Sequence, residues 1–248
     1  MQKPESDMSG HDHWFEPIAE HLGSAYLRYS FTKGTRQEID AVVDWLGLRP
    51  GMRVLDVGCG PGRHAIELAT RGIDCHGIDI SQRFVDIARA SSVAGATFER
   101  MDARHMTFET EFDAVICLCQ GAFGLMTANG NDVDVLMGIR RALKPGGRLA
   151  LSAFSSYFAV KYHESARFDA DSGVSHEITE VRDEHGRGID VDLWTGCYTP
   201  RELRLLMEKV GMDVHHIYSV EPGRYVADPP TVETPEFLLI ASATPFRR

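Results

Sequence analysis

The stretch VLDVGCGPGRHA, Val54 to Ala65, is an apolar run carrying Asp56 that gives way to three glycines spaced two apart, Gly58, Gly60 and Gly62. A buried strand that stops at a glycine-rich turn and restarts as a helix sets backbone N–H groups and a positive helix end against a ligand, because glycine has no Cβ to hold the ligand off. The pattern therefore points to a nucleotide-like cofactor. A dinucleotide fingerprint wants G-x-G-x-x-G. Counting from Gly58 puts Arg63 at the third glycine, and counting from Gly60 puts Ala65 there, which only the looser form allows. The phosphate loop G-x-x-x-x-G-K-S/T is absent. What is present is D-x-G-x-G-x-G, and an acid just ahead of the turn fits a ligand ammonium better than a pyrophosphate. Read singly, each glycine is also an ordinary tight-turn residue, and an aspartate is also a helix cap or a solvated loop residue.

Two more acids follow at telling distances. Asp79, with Ile80 after it, ends the run from Cys75 and lies 19 residues beyond Gly60, where doubly wound folds place the acid that bonds ribose hydroxyls. Asp102 follows the strand-like Ala96 to Glu99. With these in place the chain resembles the class I S-adenosylmethionine-dependent methyltransferases, from about Gly51 to Ala243. Five motifs stand in that family's order: VLDVGCGPG (Val54 to Gly62), GIDIS (Gly77 to Ser81), MDA (Met101 to Ala103), FDAVICL (Phe112 to Leu118) and LKPGGRLAL (Leu143 to Leu151). The resemblance implies S-adenosylmethionine as cofactor. It puts Gly58, Gly60 and Gly62 against the methionyl part, Asp56 near the amino group, and Asp79 on the ribose. It gives Asp102 and Ala103 the adenine, and sets Leu118 and Cys119 beside the sulfonium.

The surrounding pattern agrees. Ala65, Leu68 and Ala69 share one helical face and Gly72 follows as a stop. Ser81 can cap the next helix, and Val135, Ile139, Ala142 and Leu143 recur at helical spacing before the KPGG break and the run Leu149 to Phe154. Thr199-Pro200-Arg201-Glu202 is a capping box with Pro at the first helical position. Strands are expected at Val214 to Val220 and Phe237 to Ala241. Strands alternating with helices imply an α/β, doubly wound, mostly parallel sheet, seven-stranded if the resemblance holds, covered on both faces.

Composition bounds the function. A chain of 248 residues with 43% hydrophobic and 25% charged residues can bury a full core. No apolar run reaches the ~20 residues of a membrane span and the first residues, MQKPESDMSG, lack a signal-peptide core, so a cytoplasmic protein without membrane attachment is expected. The five cysteines form no C-x-x-C pair and read as small buried residues, with Cys117 and Cys119 on one strand face. His11 and His13 are too few for a metal site, and no metal is expected. A net charge of −10 has the wrong sign for holding a polyanion. Arg140, Arg141, Lys144 and Arg148 read as the solvated side of a helix and its following turn. No N-P-P-Y or D-P-P-Y run is present, so a nucleic-acid acceptor is disfavoured.

Acceptor choice must come from outside the shared sheet. Residues 1–50 hold an aromatic cluster, Trp14, Phe15, Tyr26, Tyr29 and Phe31, ahead of a helix capped from Thr35 to Glu38. Tyr26 and Tyr29 are expected in a lid over the site, or else simply packed on the sheet. Within the main unit, 51–248, a segment at about 155–198 is far longer than an ordinary loop and is expected to be a substrate cap, or else a sheet extension. Its Ile189, Val191 and Leu193 alternate with acids, and Asp183 to Gly188 looks like a hairpin turn. His163, Tyr157 and His176 are candidate general bases, though an in-line methyl transfer does not demand one. The reading is methyl transfer to a small-molecule acceptor. Another transfer on the same fold, as in aminopropyl transferases, and a non-catalytic cofactor-binding module stay open, as does the oligomeric state.

Overall fold

In the computed structural model, which describes residues 13–125, 132–162 and 166–244, the apolar run ahead of the glycines is a central strand. This strand, β1 (Arg53–Val57), pairs in parallel with β2 (Asp74–Asp79) on one side and β4 (Phe112–Cys117) on the other. β3 (Ala96–Arg100) lies outside β2, and β5 (Leu143–Ser155) outside β4, both also parallel. Strands buried on both faces read as unbroken apolar runs. Val54, Leu55, Val57 and Ala114 to Cys117 are accordingly inaccessible to solvent.

Alternate residues of these strands feed two cores. One face is covered by α2 (Thr35–Leu46), α3 (Arg63–Thr70) and α4 (Gln82–Ala90), the other by α5 (Asp132–Ala142) and α7 (Pro200–Lys209). The caps read from the sequence form: Ser81 accepts a hydrogen bond from the Phe84 N–H at 3.2 Å, and Thr199 and Glu202 make the reciprocal capping box. Thr35 does not cap α2. It lies inside the helix, its hydroxyl bonds the Thr32 carbonyl, and Glu38 is turned into the protein.

β11 (Glu236–Ala243) runs antiparallel between β5 and β9 (Met212–Glu221), completing seven strands, and β10 (Arg224–Asp228) adds an eighth at that edge. The full order is β10-β9-β11-β5-β4-β1-β2-β3. Three further strands, β6 (Arg167–Asp169), β7 (Val174–Arg182) and β8 (Gly188–Tyr198), form an antiparallel unit joined to the end of β5 through Phe154 and Ser155, with the expected turn between Asp183 and Gly188. The sheet is thus wider than the seven strands expected. β10, β6 and β7 are antiparallel hairpin partners of their neighbours, whereas β8 meets the end of β5 in parallel over two residue pairs.

The N-terminal aromatics pack against this unit. α1 (Phe15–Leu22) and the 3-10 turns Gly23–Arg28 and Ser30–Thr32 share a third core with Phe84 of α4 and Val181, Val191 and Leu193 of the hairpin. α2, in contrast, sits on the sheet itself. The order of strands reverses between β1 and β4, and in open α/β sheets the crevice beyond the strand ends at such a point is where ligands bind.

Candidate functional site

At that crevice the loop after β1 meets the loop after β4. Gly58 has φ +71°, and a Cβ there would lie 2.0 Å from the Gly121 carbonyl carbon, so only glycine lets the two backbones touch. Gly60, also at positive φ, has open space where a Cβ would stand, with only the Tyr26 ring 3.9 Å away. Gly62 plays a different part from its neighbours: a Cβ there would meet Phe98 at 2.7 Å, so this glycine seats α3 against the sheet and lines neither cofactor-side cavity. On the other loop Cys119 and Gln120 hold left-handed φ values of 52° and 56°, a strained conformation for residues with side chains. Cys119 therefore stands beyond β4 and does not share a strand face with Cys117 as the spacing suggested.

Asp79 ends β2 with both oxygens occupied once: one accepts from the Gly60 N–H and the other from the Ser81 N–H, each at 2.8 Å. A carboxylate offers about four acceptor positions, so two remain. Burial pushes its pKa up to about 6 against the pull of those two bonds. Asp56 is buried beneath the glycine loop, its Oδ2 has no hydrogen-bond partner, and burial raises its pKa to about 7. Asp102 caps the turn Ala103–His105 and is clamped by Arg104, whose Nε and Nη2 donate to it at 2.6–2.9 Å.

Three adjoining cavities follow the edge. One of about 20 Å³ is lined by Gly58, Asp79, Ile80, Met101, Asp102 and Ala103. The next, about 30 Å³, is lined by Gly58, Gly60, Asp79, Leu118, Cys119 and Tyr26, among others. The third, about 400 Å³, opens between the N-terminal aromatics and the hairpin, and shares Tyr26, Cys119 and Gln120 with the second. Phe15 and Leu125 line all three. Tyr29 lines the third, so both tyrosines expected in the lid reach it.

Several site residues carried no signal that the sequence reading used. His13 is buried beside the first cavity with its Nε2 3.2 Å from the Leu125 carbonyl, and burial lowers its pKa to about 4. Glu38 lies under the second, where His64 Nε2 approaches it at 2.8 Å, the Gly223 N–H donates to it at 2.8 Å, and the Arg63 guanidinium pairs with it. Burial favours protonated Glu38, but His64 and Arg63 outweigh it and hold the carboxyl down at about 2. His64 is kept neutral by burial and by Arg63. Arg63 also donates to the Cys119 sulfur at 2.9 Å. Glu38, His64 and Cys119 are the one group among the described residues spaced to share a cation, and the Arg63 guanidinium already bonds two of them.

Two candidate bases fall elsewhere. His176 stacks on Trp194 at 3.9 Å, bonds Asp192 at 2.6 Å and lines none of these cavities, and exposed Tyr157 lines none either. Alternation along β7 puts His176 on a rim position that the periodicity could not distinguish from an inward one. His163, like His11, lies outside the described residues. The basic cluster is not simply solvated: Arg140 donates to the Gly211 and Thr244 carbonyls, Arg141 to Met106, Arg148 to Trp45, and Lys144 to Asp113.

A family model described as a methyltransferase domain matches residues 54–147, the segment that builds both cofactor-side cavities. This segment carries a methyltransferase domain of the kind found in the class I S-adenosylmethionine-dependent methyltransferases. The match of this methyltransferase to a ubiquinone biosynthesis O-methyltransferase of Dechloromonas aromatica is 32% identical over 123 residues, 46% of this chain and 50% of the relative. A protein of Talaromyces variabilis named as an S-adenosyl-L-methionine-dependent Diels-Alderase is 32% identical over 126 residues, 50% of this chain and 43% of the relative. The chain thus spans about half the length of these curated relatives. The CcbJ methyltransferase of Streptomyces caelestis shares the fold, with a TM-score of 0.71 at 16% identity over 93% of this chain and 96% of that one. The cofactor is S-adenosylmethionine, and the spare acceptor positions of Asp79, which lines both cofactor-side cavities, fit its ribose hydroxyls; Asp56 lines none of the three cavities, and its unmet Oδ2 lies behind the glycine loop.

Proposed function

We propose that this methyltransferase moves a methyl group to a small molecule held in the 400 Å³ cavity. The observation that carries the reading is continuity: the cavity beside the glycine loop opens past Cys119 and Gln120 into a chamber large enough for a metabolite-sized ligand. Bound S-adenosylmethionine supplies an electrophilic methyl carbon on a sulfonium, for in-line attack by the acceptor.

The protein's own residues bind, orient and exclude water. Asp79 takes the ribose hydroxyls, Ile80, Asp102 and Ala103 frame the adenine, and Gly58 and Gly60 let the amino-acid part approach the backbone above Asp56. Asp102, already clamped by Arg104, acts as a fixed wall. Leu118 and Cys119 stand at the neck between cofactor and acceptor, where the strained backbone at Cys119 and Gln120 fixes the opening. The cofactor-side cavities are narrow, and Phe15 and Leu125, which line all three, move aside as the cofactor enters. Residues 13–33 then act as a lid, with Tyr26 and Tyr29 over the acceptor, and the 155–198 insertion forms the far wall through Val181, Leu193 and Thr195. Burial of the reacting groups and their alignment supply the rate.

The test fills the chamber and leaves the cofactor side alone. Wild type and Thr195→Trp are incubated with methyl-labelled S-adenosylmethionine and a panel of small amines, phenols, thiols and acids, and methylated products are read by mass spectrometry. Wild type is expected to label at least one acceptor, and Thr195→Trp to bind the cofactor and label none. Equal labelling by both proteins would place the acceptor elsewhere.

A further inference from the structure

The chamber holds a carboxyl with one buried oxygen that no group among the described residues satisfies. Glu236 is the first residue of β11, paired across the sheet with Phe154 and Val220 at the end of the sheet where the cofactor loops lie. It is 6% exposed, lines the 400 Å³ cavity, and its buried Oε2 has no hydrogen-bond partner. A buried acceptor left unpaired is destabilising, so such a group is retained where a ligand meets it. The rest of the lining says what that ligand carries. Five aromatic side chains, with Trp14 and Tyr26 among them, and two further carboxylates, Glu177 and the more exposed Glu180, line the chamber, and among the described residues no Lys, Arg or His does. Ring faces and carboxylates together attract an organic cation.

On the methyl-transfer reading proposed above, we infer that the acceptor is an amine, bound as its ammonium by Glu236, which takes the proton before nitrogen attacks. The proton passes from ammonium to the Glu236 carboxylate and frees the nitrogen lone pair. The new C–N bond forms as the methyl carbon–sulfur bond breaks, the bonding pair staying on sulfur to give S-adenosylhomocysteine and the N-methylammonium product. The groups around Glu236 suit the task. Burial and, after it, Glu38 of α2 raise its pKa to about 7, with Arg63 of α3 opposing, so it can both hold and release a proton near neutrality. Cys119, Tyr26 and Tyr225 face the same region, and burial raises each of them, keeping them neutral. Glu177 faces the cavity from β7.

The probes are phenethylamine and tryptamine, with 2-phenylethanol and tryptophol as neutral counterparts, titrated calorimetrically into protein saturated with S-adenosylhomocysteine. The amines are expected to bind at least tenfold tighter than the alcohols. Glu236→Gln should weaken the amines at least tenfold and leave the alcohols unchanged. At pH 6, where Glu236 is mostly protonated, amine binding should release a proton, seen as a heat that changes with buffer ionisation enthalpy, and Glu236→Gln should abolish that release. A merely structural carboxyl would not produce it. Because the buried Oε2 of Glu236 has no hydrogen-bond partner among the described residues, the Gln variant should melt no lower than wild type. Equal binding of amine and alcohol, no amine binding, or an unaltered variant would each overturn the inference. Failure of S-adenosylhomocysteine itself to bind would instead overturn the methyltransferase reading beneath it.

Discussion

Replacing Glu38 with leucine should unsettle the floor of the cofactor site more than any surface change. The carboxylate is fully buried and serves three partners: Arg63, whose side chain is only 9% exposed, His64, and the Gly223 N–H. It thereby ties α2 to α3 and to the turn between β9 and β10. Leucine leaves a buried guanidinium without its countercharge, and breaking a buried ion pair by removing one partner costs about 3–5 kcal/mol. For a domain of this size about 1 kcal/mol moves the melting midpoint by ~2–4 °C, so a fall of about 6–20 °C is expected. Circular dichroism melts and urea titrations of wild type, Glu38→Leu, Arg63→Met and the double variant measure it. Removing both partners leaves no orphaned cation, so the double variant should be more stable than the sum of the singles by about 1 kcal/mol or more. A drop under about 2 °C for Glu38→Leu, or strict additivity, would refute the reasoning.

Three further outcomes follow from the geometry. Gly58→Ala puts a Cβ on top of the Gly121 backbone, so the protein should stay folded by circular dichroism while calorimetry shows cofactor affinity reduced at least tenfold. Cofactor affinity should also fall as pH drops. Asp79, with its pKa raised to about 6, must be ionised to accept from the ribose, and loses that capacity as pH passes below that value. Titrations at pH 8, 6.5 and 5 should show a decline of up to about tenfold per unit, flatter in Asp79→Asn. Thr199→Ala removes a capping box far from the site and should cost about 1 kcal/mol in urea titration with cofactor affinity unchanged.

How much was legible follows from how local each signal is. β1 and its glycine turn are contiguous in sequence, so their strand-turn-helix form is legible locally, and Asp79 is found by its spacing of 19 residues from Gly60, from whose N–H it accepts a hydrogen bond. The caps at Ser81 and Thr199 and the hairpin turn at Asp183 are likewise written within a few residues. Glu38 was misread because its acid stands three residues after Thr35, the spacing of a capping box, while its true partners Arg63, His64 and Gly223 lie far along the chain. Glu236 directly precedes the apolar run Phe237 to Ala241, and no local pattern marks it as a site residue. Gly62 has a packing role that the motif does not reveal: its missing Cβ makes room for Phe98. His13 carries no local signal either, because its ring partner, the Leu125 carbonyl, lies far along the chain.

The central claim is that the crevice over Gly58 and Gly60 holds S-adenosylmethionine through Asp79. Calorimetric titration of S-adenosylmethionine and S-adenosylhomocysteine into wild type and Asp79→Ala, each checked for folding, tests it most directly. A lost charge-assisted hydrogen bond is worth about 1.5–3 kcal/mol, so both ligands should bind wild type and bind the variant at least about tenfold more weakly. A folded wild-type protein that binds neither ligand, or a variant that binds both as well as wild type, would contradict it.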